Sequence, residues 1–79
     1  MSTLANKPVA DAVDVLCTAD ELVVTLADGR RVSAPLAWFP RLLSATPGER
    51  EKWRLIGKGV GIHWDDLDED ISVRSLLAS

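Results

Sequence analysis

Apolar and polar residues alternate through the first part of the chain. Over residues 9–17, Val13, Val15 and Cys17 alternate with Ala12, Asp14 and Leu16, a period-two pattern that predicts a β-strand. Thr18, Ala19 and Asp20 are small or polar and suit a turn. Residues 21–27 read E-L-V-V-T-L-A, rich in β-branched positions, and predict a second strand. Asp28-Gly29 follows, the strongest hairpin signal in the chain, and residues 30–36 return as a third strand.

The alternation also sets the register of that hairpin. A two-residue turn at Asp28-Gly29 would place Leu26 opposite Arg31 and Val24 opposite Ser33, mixing polar and apolar side chains on one face. A three-residue loop of Ala27, Asp28 and Gly29, with Gly29 left-handed, places Val24 opposite Val32 and Leu22 opposite Ala34. One face is then apolar throughout. A slip of one residue would expose that whole face, so the three-residue loop is the expected one.

Pro35 cannot donate to a ladder and should end or edge the third strand. Pro40 biases Phe39 away from helix, and residues 41–45 look like a short helical turn that begins with proline. Thr46, Pro47 and Glu49 match a capping box, with Thr46 as N-cap and Glu49 at the third helical position, and predict a helix from Pro47 to about Trp53. A last strand is expected over residues 59–64, with Val60, Ile62 and Trp64 on one face and Gly61 and His63 on the other. Residues 65–70 read as a solvated loop, and Ser72 is a cap for a final helix over residues 73–78. The expected class is α+β: a small antiparallel sheet with an N-terminal hairpin, in the order β-β-β-α-α-β-α, packed against short helices.

Composition narrows this picture. The 79 residues suffice for one small domain, read as residues 9–79 behind a flexible N-terminal tail of residues 1–8. So small a core supplies only a few kcal/mol, which leaves room for a homodimer or a partner to add stability. The one cysteine, Cys17, has no intramolecular partner, which fits a reducing cytoplasm. No run approaches the ~18 apolar residues of a membrane span, and the first residues lack the apolar core of a signal peptide.

Net charge is −3, against the basic footprint of a nucleic-acid binder, so no direct nucleic-acid contact is expected. The distribution is more informative. Five of the six residues at positions 65–70 are carboxylates, while residues 41–58 carry five bases and two acids. The surface should have an acidic end and a mildly basic flank. Five like charges in one loop repel one another, and a cationic partner would relieve that cost.

Candidate chemistry is sparse. Gly57, Gly59 and Gly61 match neither a phosphate-binding loop nor a dinucleotide fingerprint, so backbone geometry is their expected role. Asp66, Asp68 and Asp70 alternate like the first ligands of a calcium loop. Ile71 stands where glycine is needed and Leu77 where the bidentate glutamate is needed, so no metal site is expected. His63 has no cysteine or second histidine to complete a zinc site, and no nucleophile motif accompanies it. A histidine held by a nearby carboxylate is the expected arrangement, and neither catalytic residues nor a cofactor are expected. Trp38, Phe39, Trp53 and Trp64 are the large aromatics, suited either to the core or to anchoring an interface.

Several runs together resemble one bacterial family. They are L-A-D-G-R from Leu26, P-L-A-W-F-P-R-L from Pro35, A-T-P from Ala45, Trp53, and G-V-G-I-H-W-D-D-L-D-E-D-I-S-V from Gly59. Asp65 departs from the pattern, which has proline after the tryptophan. The family is a domain of unknown function, found alone or as the N-terminal part of helix-turn-helix proteins. The resemblance implies an α+β domain without an assigned enzymatic activity, and a partner role in toxin–antitoxin-style gene pairs or among the anti-CRISPR inhibitors of mobile elements. The resulting expectation is a non-catalytic, acidic, cytoplasmic protein that inhibits a partner with a basic, nucleic-acid-binding surface. The contact residues would be Trp38, Phe39, Trp64, Asp65, Asp66, Asp68, Glu69 and Asp70. The alternative is a small enzyme or metal-binding domain centred on His63 and the same carboxylates.

Overall fold

The computed structural model describes residues 11–78. The expected N-terminal tail and the first two positions of the expected first strand lie outside those residues. Among the described residues, two three-stranded antiparallel sheets and three short helices make an α+β fold. The first sheet holds β1 (Ala12–Cys17), β2 (Glu21–Leu26) and β3 (Arg31–Pro35), in that order. A 3-10 turn (Leu36–Trp38) leads into α1 (Pro40–Leu43) and α2 (Pro47–Arg50). The second sheet holds β4 (Trp53–Ile56), β5 (Gly61–Trp64) and β6 (Glu69–Ser72), and α3 (Val73–Ala78) follows.

The β2–β3 hairpin has the expected register, with Leu22 opposite Ala34 and Val24 opposite Val32. Leu26 N–H donates to the carbonyl of Arg30 at 2.8 Å across the three-residue loop, and Gly29 sits at φ +93°. The side chains of β2 that face the core, Leu22, Val24 and Leu26, are fully buried. Each such burial is worth roughly 1.5–3 kcal/mol, which is why the register cannot slip.

β1 departs from simple alternation. Ala12 pairs with Leu26 but Asp14 pairs with Thr25, so Val13 is the extra residue of a bulge. The bulge shifts the phase, burying Ala12 and Val15 and turning Val13 out to 53% exposure. Val13, expected on the face of Val15, is therefore on the other side.

The capping box is formed as expected. Glu49 N–H donates to Thr46 Oγ1 at 3.1 Å, and Thr46 N–H donates to Glu49 Oε1 at 2.9 Å. The helix stops at Arg50, however, short of the expected Trp53. Trp53 begins β4 instead, where it pairs with Trp64. The expected loop over residues 65–70 is also shorter. A 3-10 turn (Asp65–Leu67) and a left-handed Asp68 at φ +50° reverse the chain, and Glu69 already pairs with Trp64 in β6. Strands β4 and β6 had no clear alternation to announce them. β5 begins at Gly61, so Val60 lies in the preceding turn, 56% exposed and off the buried face expected for it.

Both sheets contribute to one apolar cluster. Leu22, Val24 and Leu26 meet Leu36 and Leu42 from the connection, and Ile62, Trp64, Ile71, Val73 and Leu76 from the second half. At Gly59 the two halves are in close backbone contact, Ala12 N–H donating to its carbonyl at 2.8 Å. This glycine sits at φ +105°, and a Cβ there would collide with the Ala12 carbonyl oxygen. Its role is thus close backbone approach to β1.

Candidate functional site

Alternation in the second sheet sends Leu55, Ile62 and Ile71 inward and leaves Arg54, His63 and Asp70 as a row across the outer face. The half-buried His63 ring lies between two carboxylates. Its Nδ1 contacts Asp70 Oδ1, and its Nε2 lies 2.9 Å from Asp65 Oδ1. Arg54 Nε reaches Asp65 Oδ2 at 3.2 Å and its Nη2 reaches Oδ1 at 3.3 Å. This hydrogen bonding from Arg54 holds the Asp65 carboxyl below its ordinary pKa, against the opposing push of desolvation.

Asp66 and Asp68 of the acidic hairpin are also met by cations from earlier in the chain. Lys52 Nζ lies 3.5 Å from Asp66 Oδ2. Arg41 Nη1 donates to the carbonyls of Asp68 at 2.6 Å and Leu67 at 3.3 Å, and lies 3.9 Å from Asp68 Oδ2. Acidic end and basic flank are therefore one surface. The self-repulsion expected of the five carboxylates is already offset by Arg41, Lys52 and Arg54. Linear charge counts could not show this, because each cation reaches across the fold.

Arg41 also joins two of the sequence runs that carried the family resemblance. It follows Trp38, Phe39 and Pro40, and its guanidinium grips the tip of the hairpin. Leu36 is fully buried, and its N–H donates to the Asp20 carbonyl at 2.8 Å. That anchors the 3-10 turn and leaves Trp38 outside, 57% exposed. Phe39 is half-buried against the core.

Trp64 is a different case. It is fully buried, and its Nε1 donates to the Arg50 carbonyl at 3.0 Å. A side chain with no exposure cannot meet a partner, so Trp64 leaves the candidate contact set and joins the core. Trp53, opposite it, is half-buried. Leu43, 49% exposed on α1, is an apolar surface residue that the pattern did not single out. Its helix is too short for a periodic signal.

No group of three or more His, Cys, Asp or Glu side chains among the described residues is placed to hold a metal ion. No helix among them is long and apolar enough to cross a membrane. Cys17 is half-buried, and burial raises its thiol pKa despite the nearby charge of Arg50. A thiol so shifted is a poor nucleophile.

The fold and this surface define a small α+β protein with two three-stranded sheets and a charge-paired acidic hairpin. Residues 12–79 match the family described as protein of unknown function, DUF2442, and the chain belongs to it. This agrees with the resemblance at the level of a domain of unknown function. A crystal structure of a protein of unknown function from Rhodospirillum rubrum is similar, with TM-score 0.76 and 25% identity, over 90% of this chain and 88% of that one. No curated protein matches the chain.

Proposed function

We propose that the chain is a non-catalytic binding module that docks onto a basic surface of a macromolecular partner and blocks it. The partner class is a protein that handles nucleic acid, and the role is antitoxin-like or anti-CRISPR-like inhibition in the cytoplasm. The observation that carries this reading is Trp38, largely exposed on a segment that Arg41, three residues on, ties to the acidic hairpin. An exposed tryptophan supplies buried contact area on binding, and carboxylates beside it steer a cationic surface. The contact side chains are Trp38, Asp66, Asp68 and Glu69. The arrangement of His63 favours the non-catalytic reading, since both ring nitrogens face carboxylate oxygens rather than open solvent.

Neutral variants test this better than charge reversal. Lysines at positions 66 and 68 would face Lys52 and Arg41 and disturb the hairpin itself. Asp66→Asn, Asp68→Asn and Glu69→Gln together remove three charges with little change of shape, and asparagine tolerates the left-handed backbone at position 68. A host protein captured by the wild type should be basic. Its capture should fall as salt rises, and it should be lost with Trp38→Ala and weakened by the neutral triple variant. Equal capture by all three proteins, at any salt, would remove Trp38 and the hairpin as the binding surface.

A further inference from the structure

Away from that surface, the start of β1, the β4–β5 turn and the junction of β6 with α3 meet at one place. Ala12 N–H donates to the Gly59 carbonyl at 2.8 Å, and Val73 N–H donates to the Val60 carbonyl at 3.0 Å. At that junction lies a groove of about 500 Å³, within the range of small-ligand sites. Gly61 opens its floor. It pairs with Ile56 on one side and Ser72 on the other, so its missing side chain leaves a gap between theirs. Ile56 and Val60 supply apolar wall, 38% and 56% exposed. Asp11 and Arg74 supply opposite charges to the same lining.

These two charges are not spent on each other. Neither side chain has an ion pair or hydrogen bond among the described residues. Asp70 also lines the groove, but it is engaged by His63. A simple anion would meet Asp11 and Asp70, and a simple cation would meet Arg74. A purely apolar ligand would leave both signs of charge unanswered. We propose that the groove binds a small zwitterion with an apolar body, a free α-amino acid or a dipeptide. Arg74 takes the carboxylate through its guanidinium fork, Asp11 takes the ammonium, and the side chain lies over Ile56, Val60 and the bare backbone of Gly61. The site uses none of the contact side chains of the proposed partner face, so either reading can fail without the other.

The test is a titration of the isotope-labelled full chain, followed by backbone amide resonances. The ligands are leucine, leucyl-leucine, N-acetyl-leucine and leucinamide. Leucine or leucyl-leucine should move the amides of Gly61, Ser72 and Arg74 saturably, and the tighter of the two identifies the source. N-acetyl-leucine lacks the ammonium and leucinamide lacks the carboxylate. Each should bind about tenfold more weakly, the loss of one charged hydrogen-bond contact. Arg74→Gln and Asp11→Asn, whose spectra report that they fold, should weaken the parent ligands equally. The proposal is overturned if no ligand gives a saturable shift, or if either blocked analogue binds as well as its parent.

Discussion

The turns of the two sheets are built differently. Between β2 and β3 the turn is held mostly by its own residues: Gly29 N–H donates to the Leu26 carbonyl at 3.0 Å and Arg30 N–H to Asp28 Oδ1 at 3.0 Å, with one bond outward, from Ala27 N–H to the Asp11 carbonyl at 2.8 Å. Nothing lies within 4 Å of where a Gly29 Cβ would point. Between β4 and β5 the turn is tied to distant chain. Gly59 N–H donates back to Ile56, but the Gly59 and Val60 carbonyls accept from Ala12 and Val73. Both sheets pair strands in sequence order, but the β4–β5 turn is held by chain from both ends of the fold, while the β2–β3 turn rests mainly on its own residues. Local signals should therefore be hard to read in the second half, and its substitutions should have longer reach.

The largest expected effect follows from the fate of two tryptophans. Trp64→Ala removes a buried side chain and leaves the Arg50 carbonyl without its donor, and should cost about 3–5 kcal/mol in urea unfolding. Trp38→Ala, at an exposed site, should change stability by no more than about 0.5 kcal/mol. Similar losses for the two would show that the second sheet is not built around Trp64.

The glycines come next. Gly59→Ala combines left-handed strain with a collision against β1 and should cost about 3 kcal/mol. Gly29→Ala meets only the strain and should cost about 1–2 kcal/mol. Equal shifts of the unfolding midpoint would erase the distinction between a turn held mostly by its own residues and one anchored to distant chain.

The smallest effect is in the acid limb of the stability curve. The folded-state pKa of Asp65 lies below its unfolded value, so the folded protein binds fewer protons there than the unfolded chain. Its contribution is complete above the ordinary carboxylate range and disappears as pH falls through the lowered folded value. Asp65→Asn should make the melting temperature less sensitive to acid through that window and leave the first sheet's amide shifts unmoved. An unchanged acid limb would mean that Arg54 gains nothing from this carboxylate.

The β2–β3 register, the left-handed Gly29 and the capping box of Thr46 and Glu49 were all legible in the sequence. Each depends on residues a few positions apart, so a period of two, a turn dipeptide or a three-residue spacing carries the whole interaction. The candidate site was legible in composition but not in state. Its carboxylates were visible as a run, while the cations that engage them were not: Arg41 reaches the hairpin from 27 residues away and Arg54 reaches Asp65 from 11.

By itself, then, the sequence determined which segments could pair locally, and the charge and aromatic residues available to the second half. Only the tertiary structure decided which way those residues face. Trp38 and Trp64 have the same side chain, yet one is exposed and the other buried, because Leu36 takes the inward position of the first turn and the pairing of β4 with β5 draws Trp64 into the core. Val13 was turned outward by a bulge that the alternation around it does not announce. In each case the deciding contact is made between strands or across a turn, at a separation no short pattern encodes.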